Sequence, residues 1–540
     1  MSFVYDKNIN GRIYRCLIEA YRDPETGRPK QRILEYYGRV KVVNGKKVLI
    51  PKQSVKPEVE KIIPFGDLAL IYDTAMKIDF ISTMEMMVPR NGTSAGKSLL
   101  LLAINHLTGR IALEDIAEWY GRSALRYWIR DPKEVFSGDA LLGVMDSVCK
   151  QDDDMLRDKT WLISQAFRRR VENVWGLGSK FVYYDRTQIV YNGPHTWYAE
   201  FSYSGSSSKD RRKIGMGVVV RREDGFPVMC QVYRGNSVDV STVGGIKERL
   251  VSAGMTDLII VMDRGMSSFD NIKSLRDAGY NVIAGVSDNE IVYGKVVSSV
   301  TEDEMEKAEN SQITSSGVIF ASERIIDGMK YVVYQNPNTR SENIASLMKA
   351  IDGAKERLDA FTIKHRGRKT DVGKLLNGLG VYFHWSIAGN TLKWSLKNEE
   401  VEKAIRRIGR SVLLCTDVHL QKSEIIRVYM EKDEVEKVWR VGKGSLGFNA
   451  IKHWRRDRVV SYLFVCYLSY LLWISIRMRL REAKFDLSPD KALSIMKRIE
   501  MVRFSSSGRE YNEFPKAVGI EEKLQKRLGI SYLKDSVMVK

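Results

Sequence analysis

Leu258-Ile259-Ile260-Val261-Met262-Asp263 is an unbroken apolar run that ends in a carboxylate. Such a run reads as a strand buried on both faces, the centre of a sheet covered by helices. The flanking sequence agrees. Residues 180–184 read as a strand ending in Asp185, and 214–220 and 227–233 as two more, separated by the turn Arg222-Glu223-Asp224-Gly225. Helical patterns over 238–253 and 267–278 alternate with the apolar run and with a further strand at 281–286. This alternation predicts an α/β domain.

The chain has 540 residues, too many for one core, which implies roughly three or four domains. Hydrophobic content of 44% with 10% aromatic excludes a disordered chain, and 12 Pro with 41 Gly exclude a collagen-like or linker-dominated one. Lys and Arg number 86 against 67 Asp and Glu, and the net charge of +19 points to a polyanionic partner. Nucleic acid leads, with an anionic membrane surface as its competitor. Cys16, Cys149, Cys230, Cys415 and Cys466 stand singly, so neither a zinc ribbon nor a disulfide framework is expected. The first twelve residues lack the apolar core of a signal peptide, and the cytoplasm is the expected compartment. Residues 459–476 are 18 without a charge, the lower limit for a membrane span. They include Ser461, Ser469 and Ser475 and have no counterpart elsewhere, so a buried core helix is expected and no membrane partner.

Residues 1–55 read as a small basic β-rich module, with a turn at Asp23-Pro24-Glu25-Thr26-Gly27 and a hairpin at Asn44-Gly45. Residues 56–178 turn helical. Within them, 117–128 has the spacing of a helix-turn-helix with Ser123 capping the second helix, and equally that of a plain helical hairpin with Gly121 as its C-cap. Asn91-Gly92-Thr93-Ser94-Ala95-Gly96-Lys97-Ser98 imitates a phosphate-binding loop, but Asn91 stands where Gly is required and no strand precedes it. Thr93 or Ser94 is read as a helix cap instead. Residues 288–408 break the α/β rhythm with strand-like pieces, among them 291–297, around a basic cluster at 364–369. A buried strand is expected at 411–415, a long helix at 423–441, the apolar helix after it, and a mixed charged tail at 485–540.

Asp185 and Asp263 end strands of one α/β unit, where ligands and metals gather, although either alone could be a turn or cap residue. On the long helix, Tyr429, Lys432, Glu436 and Lys443 fall in one narrow stripe. A solvated face with local Glu–Lys pairs explains that stripe as well, and periodicity does not choose.

Tyr429-x2-Lys432-x3-Glu436-x6-Lys443 resembles the Tyr-Arg-Glu-Lys signature of prokaryotic insertion-sequence transposases of the DDE class. Tyr184-Asp185-Arg186-Thr187, Arg234-Gly235-Asn236-Ser237-Val238-Asp239, Val261-Met262-Asp263-Arg264-Gly265-Met266 and the segment 451–458 are similar, in order, to further motifs of that family. The resemblance implies an RNase H-like mixed-sheet core in two parts, 179–287 and 409–484, with 288–408 as a β-rich insertion. It implies Asp185, Asp263 and Glu436 as catalytic, metal-binding triad. Lys432 departs from the usual Arg, which keeps the charge and loses bidentate phosphate geometry. Asp239 is a competing carboxylate, assigned to N-capping the helix that follows it.

Phosphodiester transfer suits this donor set. Two Mg²⁺ ions about 3.5–4 Å apart, or Mn²⁺ in their place, activate one oxygen and stabilise the other, and carboxylates are the ligands they take. Expected roles are Asp185 bridging both ions, Asp263 on one and Glu436 on the other, with water and then a DNA 3′-hydroxyl as nucleophile. Residues 437–458 carry seven Lys/Arg, including Arg440, Lys443, Arg455 and Arg456, against Asp457 alone. Lys209, Arg211, Arg212 and Lys213 form a second cluster; both suit phosphate contacts, as do Tyr429 and Lys432. Trp385 and Trp394 are candidates for base stacking by residue type, with packing inside the insertion as the alternative. The expected protein is a transposase acting on terminal inverted repeats and target DNA, a homodimer when it pairs two ends. A non-catalytic DNA-binding derivative and an RNase H-like nuclease without strand transfer are the alternatives.

Overall fold

The computed structural model of the protein describes residues 2–23, 27–43, 46–51, 58–89, 92–152, 155–176, 178, 180–201, 211–314, 317–361, 369–388, 391–449, 451–506, 509–515 and 517–530. The chain forms two compact units. One is built from the amino-terminal stretch to Pro64 with Ile499–Ala517, the other from Phe65–Arg498 with the segment from Val518 onward.

The larger unit is organised on a ten-stranded mixed sheet. Its first part comprises β1 (Phe181–Val190), β2 (Arg212–Arg221), β3 (Pro227–Arg234), β4 (Ile259–Met262) and β5 (Asn281–Gly285). β2 lies antiparallel between β1 and β3, whereas β4 is parallel to both β1 and β5, in the order β3-β2-β1-β4-β5. Three antiparallel strands followed by two parallel ones make the RNase H-like core. The apolar run is its fourth strand, and all four residues of β4 are buried, as a strand covered on both faces must be.

The insertion does not stand apart from this sheet. β6 (Ser311–Thr314), β7 (Gly317–Ile326) and β8 (Met329–Gln335) join it through β9 (Arg410–Cys415), which pairs antiparallel with both β5 and β8. A separate hairpin, Phe383–Ala388 with Thr391–Leu396, packs with the 23-residue helix Pro337–Asp359 around Ile351, Leu358 and Phe383. The segment 291–297, expected as a strand, is instead the helix Ile291–Ser298. Tyr293, Val296 and Val297 are its buried residues, and that spacing is the helical period. The basic cluster at 364–369 lies outside the described residues except for Lys369.

Helix α1 (Lys422–Met430) and helix α2 (Asp433–Lys443) replace the single long helix expected over 423–441. The break falls at Glu431 and Lys432. Helix α3 (Arg456–Glu482) contains the apolar run. It is long and apolar enough to cross a membrane, yet 94% of that window is buried inside the fold. Its polar atoms are satisfied there: Ser461 donates to the Met145 carbonyl at 2.8 Å and Tyr467 to that of Pro227 at 2.8 Å. Arg479, 5% exposed, reaches Thr74, Asp73 and the Leu528 carbonyl.

Helices from Gly66–Lys77 to Thr160–Trp175 form the helical region. Ser94 accepts from Lys97 N at 3.1 Å and caps Ala95–Thr108, while the Lys97 ammonium pairs with Asp131 at 2.8 Å, so the imitation phosphate loop is a helix start. The helix-turn-helix reading is not met. Ile116–Arg122 is followed by only four helical residues, Arg126–Ile129, and Trp128 packs against Phe65 and Tyr72.

The smaller unit holds the antiparallel meander Ser2–Ile9, Arg12–Arg22, Pro29–Val43 and Lys46–Pro51. A three-stranded sheet pairs Glu58–Pro64 with Glu500–Ser506 and the latter with Arg509–Glu513. The charged tail thus contributes strands to the amino-terminal unit. The turn residues 24–26 and Asn44-Gly45 lie outside the described residues.

Candidate active site at the ends of the central strands

Parallel pairing of β1 and β4 sets Tyr184 opposite Met262, so the next residue on each strand, Asp185 and Asp263, falls on the same side of neighbouring strands. Asp185 lies inside β1, which continues to Val190 against β2, with Asp185 opposite Val218. Asp263 begins the turn after β4. Topology alone therefore brings two carboxylates from distant sequence together.

Three side chains from 429–443 reach this pair. The Tyr429 hydroxyl donates to Asp263 Oδ1 at 3.3 Å, and the Lys432 ammonium is hydrogen-bonded to the same oxygen. The Trp439 indole N–H donates to Asp185 Oδ2 at 2.9 Å. Lys443 donates to the Thr187 hydroxyl two residues further along β1. The stripe thus addresses one site even though a helix break interrupts it.

Burial pushes the Asp185 carboxyl above the usual range, and the neighbouring Asp263 charge pushes the same way, against the backbone N–H of Arg186 and the Trp439 indole. Burial, and then the Asp263 charge, raise the Tyr429 phenol, so it stays a donor. Burial lowers the Lys443 ammonium while the Asp185 charge opposes that shift.

Glu436 is exposed on α2, three residues before Trp439 and seven before Lys443, which places it on the stripe that faces β1. Among the described residues, no three His, Cys, Asp or Glu side chains stand close enough to hold a metal ion. The aspartates are paired; Glu436 is not gathered with them. Two adjacent carboxylates, one half-buried and destabilised as an anion, nevertheless suit a divalent cation, which takes oxygen ligands and keeps water positions open. Lys432 places a positive charge directly on the pair, and Lys443 lies within reach of the Asp185 charge.

The sequence motifs interlock around this site. Arg186, its side chain 2% exposed, donates to Asp239 Oδ1 and to the Ser237 carbonyl, both at 2.6 Å. Asp239 is therefore an ion-pair partner of the first motif and makes no side-chain N-cap, contrary to expectation.

The other expected contacts divide. Arg440 and Arg211 are exposed, and Arg212 lies over Phe201. Lys213 is 3% exposed, buried within β2, and presents no ammonium to a surface phosphate. Lys209 lies outside the described residues. Arg455 is committed to Asp457, itself 1% exposed, and to Asp146. Arg456 stacks over Trp197 at 4.2 Å. Trp385 and Trp394 are cross-strand partners, half-buried against the insertion's own core, with Trp394 bonded to Asp359 at 3.1 Å. Trp439 escaped the sequence reading, although its place three residues after Glu436 was a usable signal.

Residues 177–472 match the family model described as "Transposase DDE domain". No curated protein matches the sequence. A chain from the cryo-EM structure of the piggyBac transposase synaptic complex with hairpin DNA is similar over 81% of this chain and 80% of that one, at 11% identity and a TM-score of 0.39.

Proposed function

The chain belongs to the transposase DDE-domain family, and on that premise we propose that it binds the ends of a prokaryotic insertion sequence, cleaves DNA there and joins the freed end to a target. The observation that carries this reading is the register of β1 and β4, which seats Asp185 beside Asp263 beneath the helix bearing Glu436.

Asp185 and Asp263 would hold a divalent ion, Mg²⁺ or Mn²⁺, and Glu436, which is not gathered with them in this structure, would complete the set by swinging in from α2. When bound, such ions supply positive charge to an attacking oxygen and to a leaving oxygen of the phosphodiester. The chain's own residues do the rest. Trp439 fixes the orientation of Asp185 through its N–H. Tyr429 and Lys432 hold Asp263 and bring a cationic, hydrogen-bonding edge to the site. Lys443, beside Thr187, adds a second positive charge within the cleft, suited to the phosphate next to the scissile one. No side-chain nucleophile is required: water attacks in strand cleavage and a DNA 3′-hydroxyl in strand transfer. Exposed Arg440 and Arg211 extend the phosphate-binding surface. Because two ends must be joined to one target, the working form is a homodimer.

The test is cleavage of duplex DNA carrying the element's end, with Mg²⁺, by wild type and Glu436→Gln. Loss of cleavage by on the order of 10²–10³-fold or more, the scale of a preorganised charge-stabilising group, with DNA affinity retained, is the expected outcome. Wild type that binds ends without cutting them would make the chain a binding derivative. Cleavage without joined products would make it a nuclease.

A further inference from the structure

A cavity of about 430 Å³ lies at the outer edge of β3, away from the three carboxylates. Its walls include Trp197, Tyr198, Gln231, Arg234, Arg249 and Arg456. They come from four places: the connection between β1 and β2, the edge strand itself, the helix Val243–Ser252, and the first turn of α3. Three guanidinium groups therefore converge from separate elements.

Their donors are not used up. Among the described residues, Arg234 Nε, Arg249 Nη1 and Arg456 Nε are buried without a hydrogen-bond partner, as is the Gln231 side-chain oxygen. Buried donors of this kind are rare in native folds and mark a missing acceptor. The acids nearby do not fill the role. Asp158 stands 3.9 Å from Arg249 and accepts from Thr160 N with its other oxygen, while Glu200 pairs with Arg234 outside the cavity wall. Among the described residues, three arginines against these two acids leave one positive charge.

Trp197 forms the mouth. It is 45% exposed, with Arg234 and Arg456 over its ring at 5.1 and 4.2 Å. The exposed part of this indole offers apolar surface to a sugar or base of any sequence.

We propose that this cavity binds one phosphodiester group of a DNA strand, as an anchor separate from the carboxylate site. One residual positive charge matches the single negative charge of a phosphodiester better than the roughly doubly charged free phosphate, and planar guanidinium forks suit its oxygens. The proposal rests on the reading of the chain as DNA-acting.

The test uses the full chain in metal-free buffer, with labelled single- and double-stranded oligonucleotides of arbitrary sequence titrated across a salt series. Arg456→Gln should make the slope of log affinity against log salt shallower by about 0.9 on duplex and about 0.7 on single strands, one phosphate's worth of counterions. Trp197→Ala should weaken binding and Trp197→Phe should restore it. Thermal melting identifies a variant that has lost its fold. For that case, hydrogen exchange on wild type should show residues 196–199 and 230–234 protected by DNA. Unchanged slope in a folded variant, or absence of that protection, overturns the proposal. Inorganic phosphate that stabilises wild type but not Arg456→Gln, with the DNA slope unchanged, would make the cavity a free-phosphate site and overturn it as well. Wild type that fails to bind DNA at all defeats the function reading itself, a distinguishable result.

Discussion

The indole N–H of Trp439 donates to Oδ2 of Asp185 at 2.9 Å, joining α2 to strand β1 across 254 residues of sequence. It fixes one oxygen of a half-buried carboxylate and links α2, which carries Glu436 one turn earlier, to that carboxylate. The Trp439 side chain is itself only 7% exposed.

Trp439→Phe keeps most of the packing and removes the donor. A hydrogen bond to a charged group contributes about 1.5–3 kcal/mol, so end cleavage should fall roughly ten- to a hundredfold. DNA affinity, measured by anisotropy, should hold. A full cleavage rate would reduce the indole to a packing residue.

Asp185→Asn should alter the pH dependence of stability in a predictable direction. Burial raises the Asp185 pKa in the folded protein, so its contribution is fully present below the ordinary carboxylate range. That contribution is lost as pH rises through the folded value. The wild-type melting temperature, measured without metal and relative to Asp185→Asn, should therefore decline from about pH 4 upward. Asn still offers an oxygen to Trp439. A difference independent of pH would contradict the assignment.

Lys432 rests on Asp263 as a counter-ion. A divalent cation at Asp263 has to compete with that ammonium. Lys432→Ala should tighten Mn²⁺ binding to the DNA-free protein, read by electron spin resonance. The pair is partly exposed and contributes about 1 kcal/mol at most, so up to roughly fivefold is expected. DNA affinity should fall in the same variant. Weaker Mn²⁺ binding would mean that Lys432 organises the site rather than competing in it.

Gly285 ends β5 against Tyr429: a Cβ there would stand 2.8 Å from the Tyr429 hydroxyl and 3.2 Å from Arg264 Cβ. Gly285→Ala should push the phenol off Asp263 and slow cleavage about tenfold, with the loss of about one hydrogen bond to a carboxylate. Double substitution with Tyr429→Phe should add little. Additive losses would show that the alanine acts elsewhere.

Much of this was legible in residue order. A run such as Leu258–Met262 has no polar face and sits inside a covered sheet, and the two strands that carry Asp185 and precede Asp263 follow from local pattern, although the first runs on past Asp185 to Val190. The stripe from Tyr429 to Lys443 is likewise a matter of spacing. Local pattern misled where burial overrode it. Apolar β-branched residues at 291–297 look like a strand, and their helical burial is visible only once the sheet beside them exists. Lys213 reads as a surface cation, yet it lies on a covered strand.

The sequence by itself determined the central buried strands, the apolar run that forms an interior helix, and the strand positions of Asp185 and Asp263 as candidate site residues, because these depend on side-chain chemistry and short periodicities. Only the tertiary structure decided the rest. It set Tyr184 against Met262 so that two aspartates meet, and it broke the long helix at Lys432 so that its ammonium reaches Asp263. It brought three arginines from separate elements to one cavity. Such relations depend on strand register and on packing between segments far apart in the chain, and no local pattern encodes them.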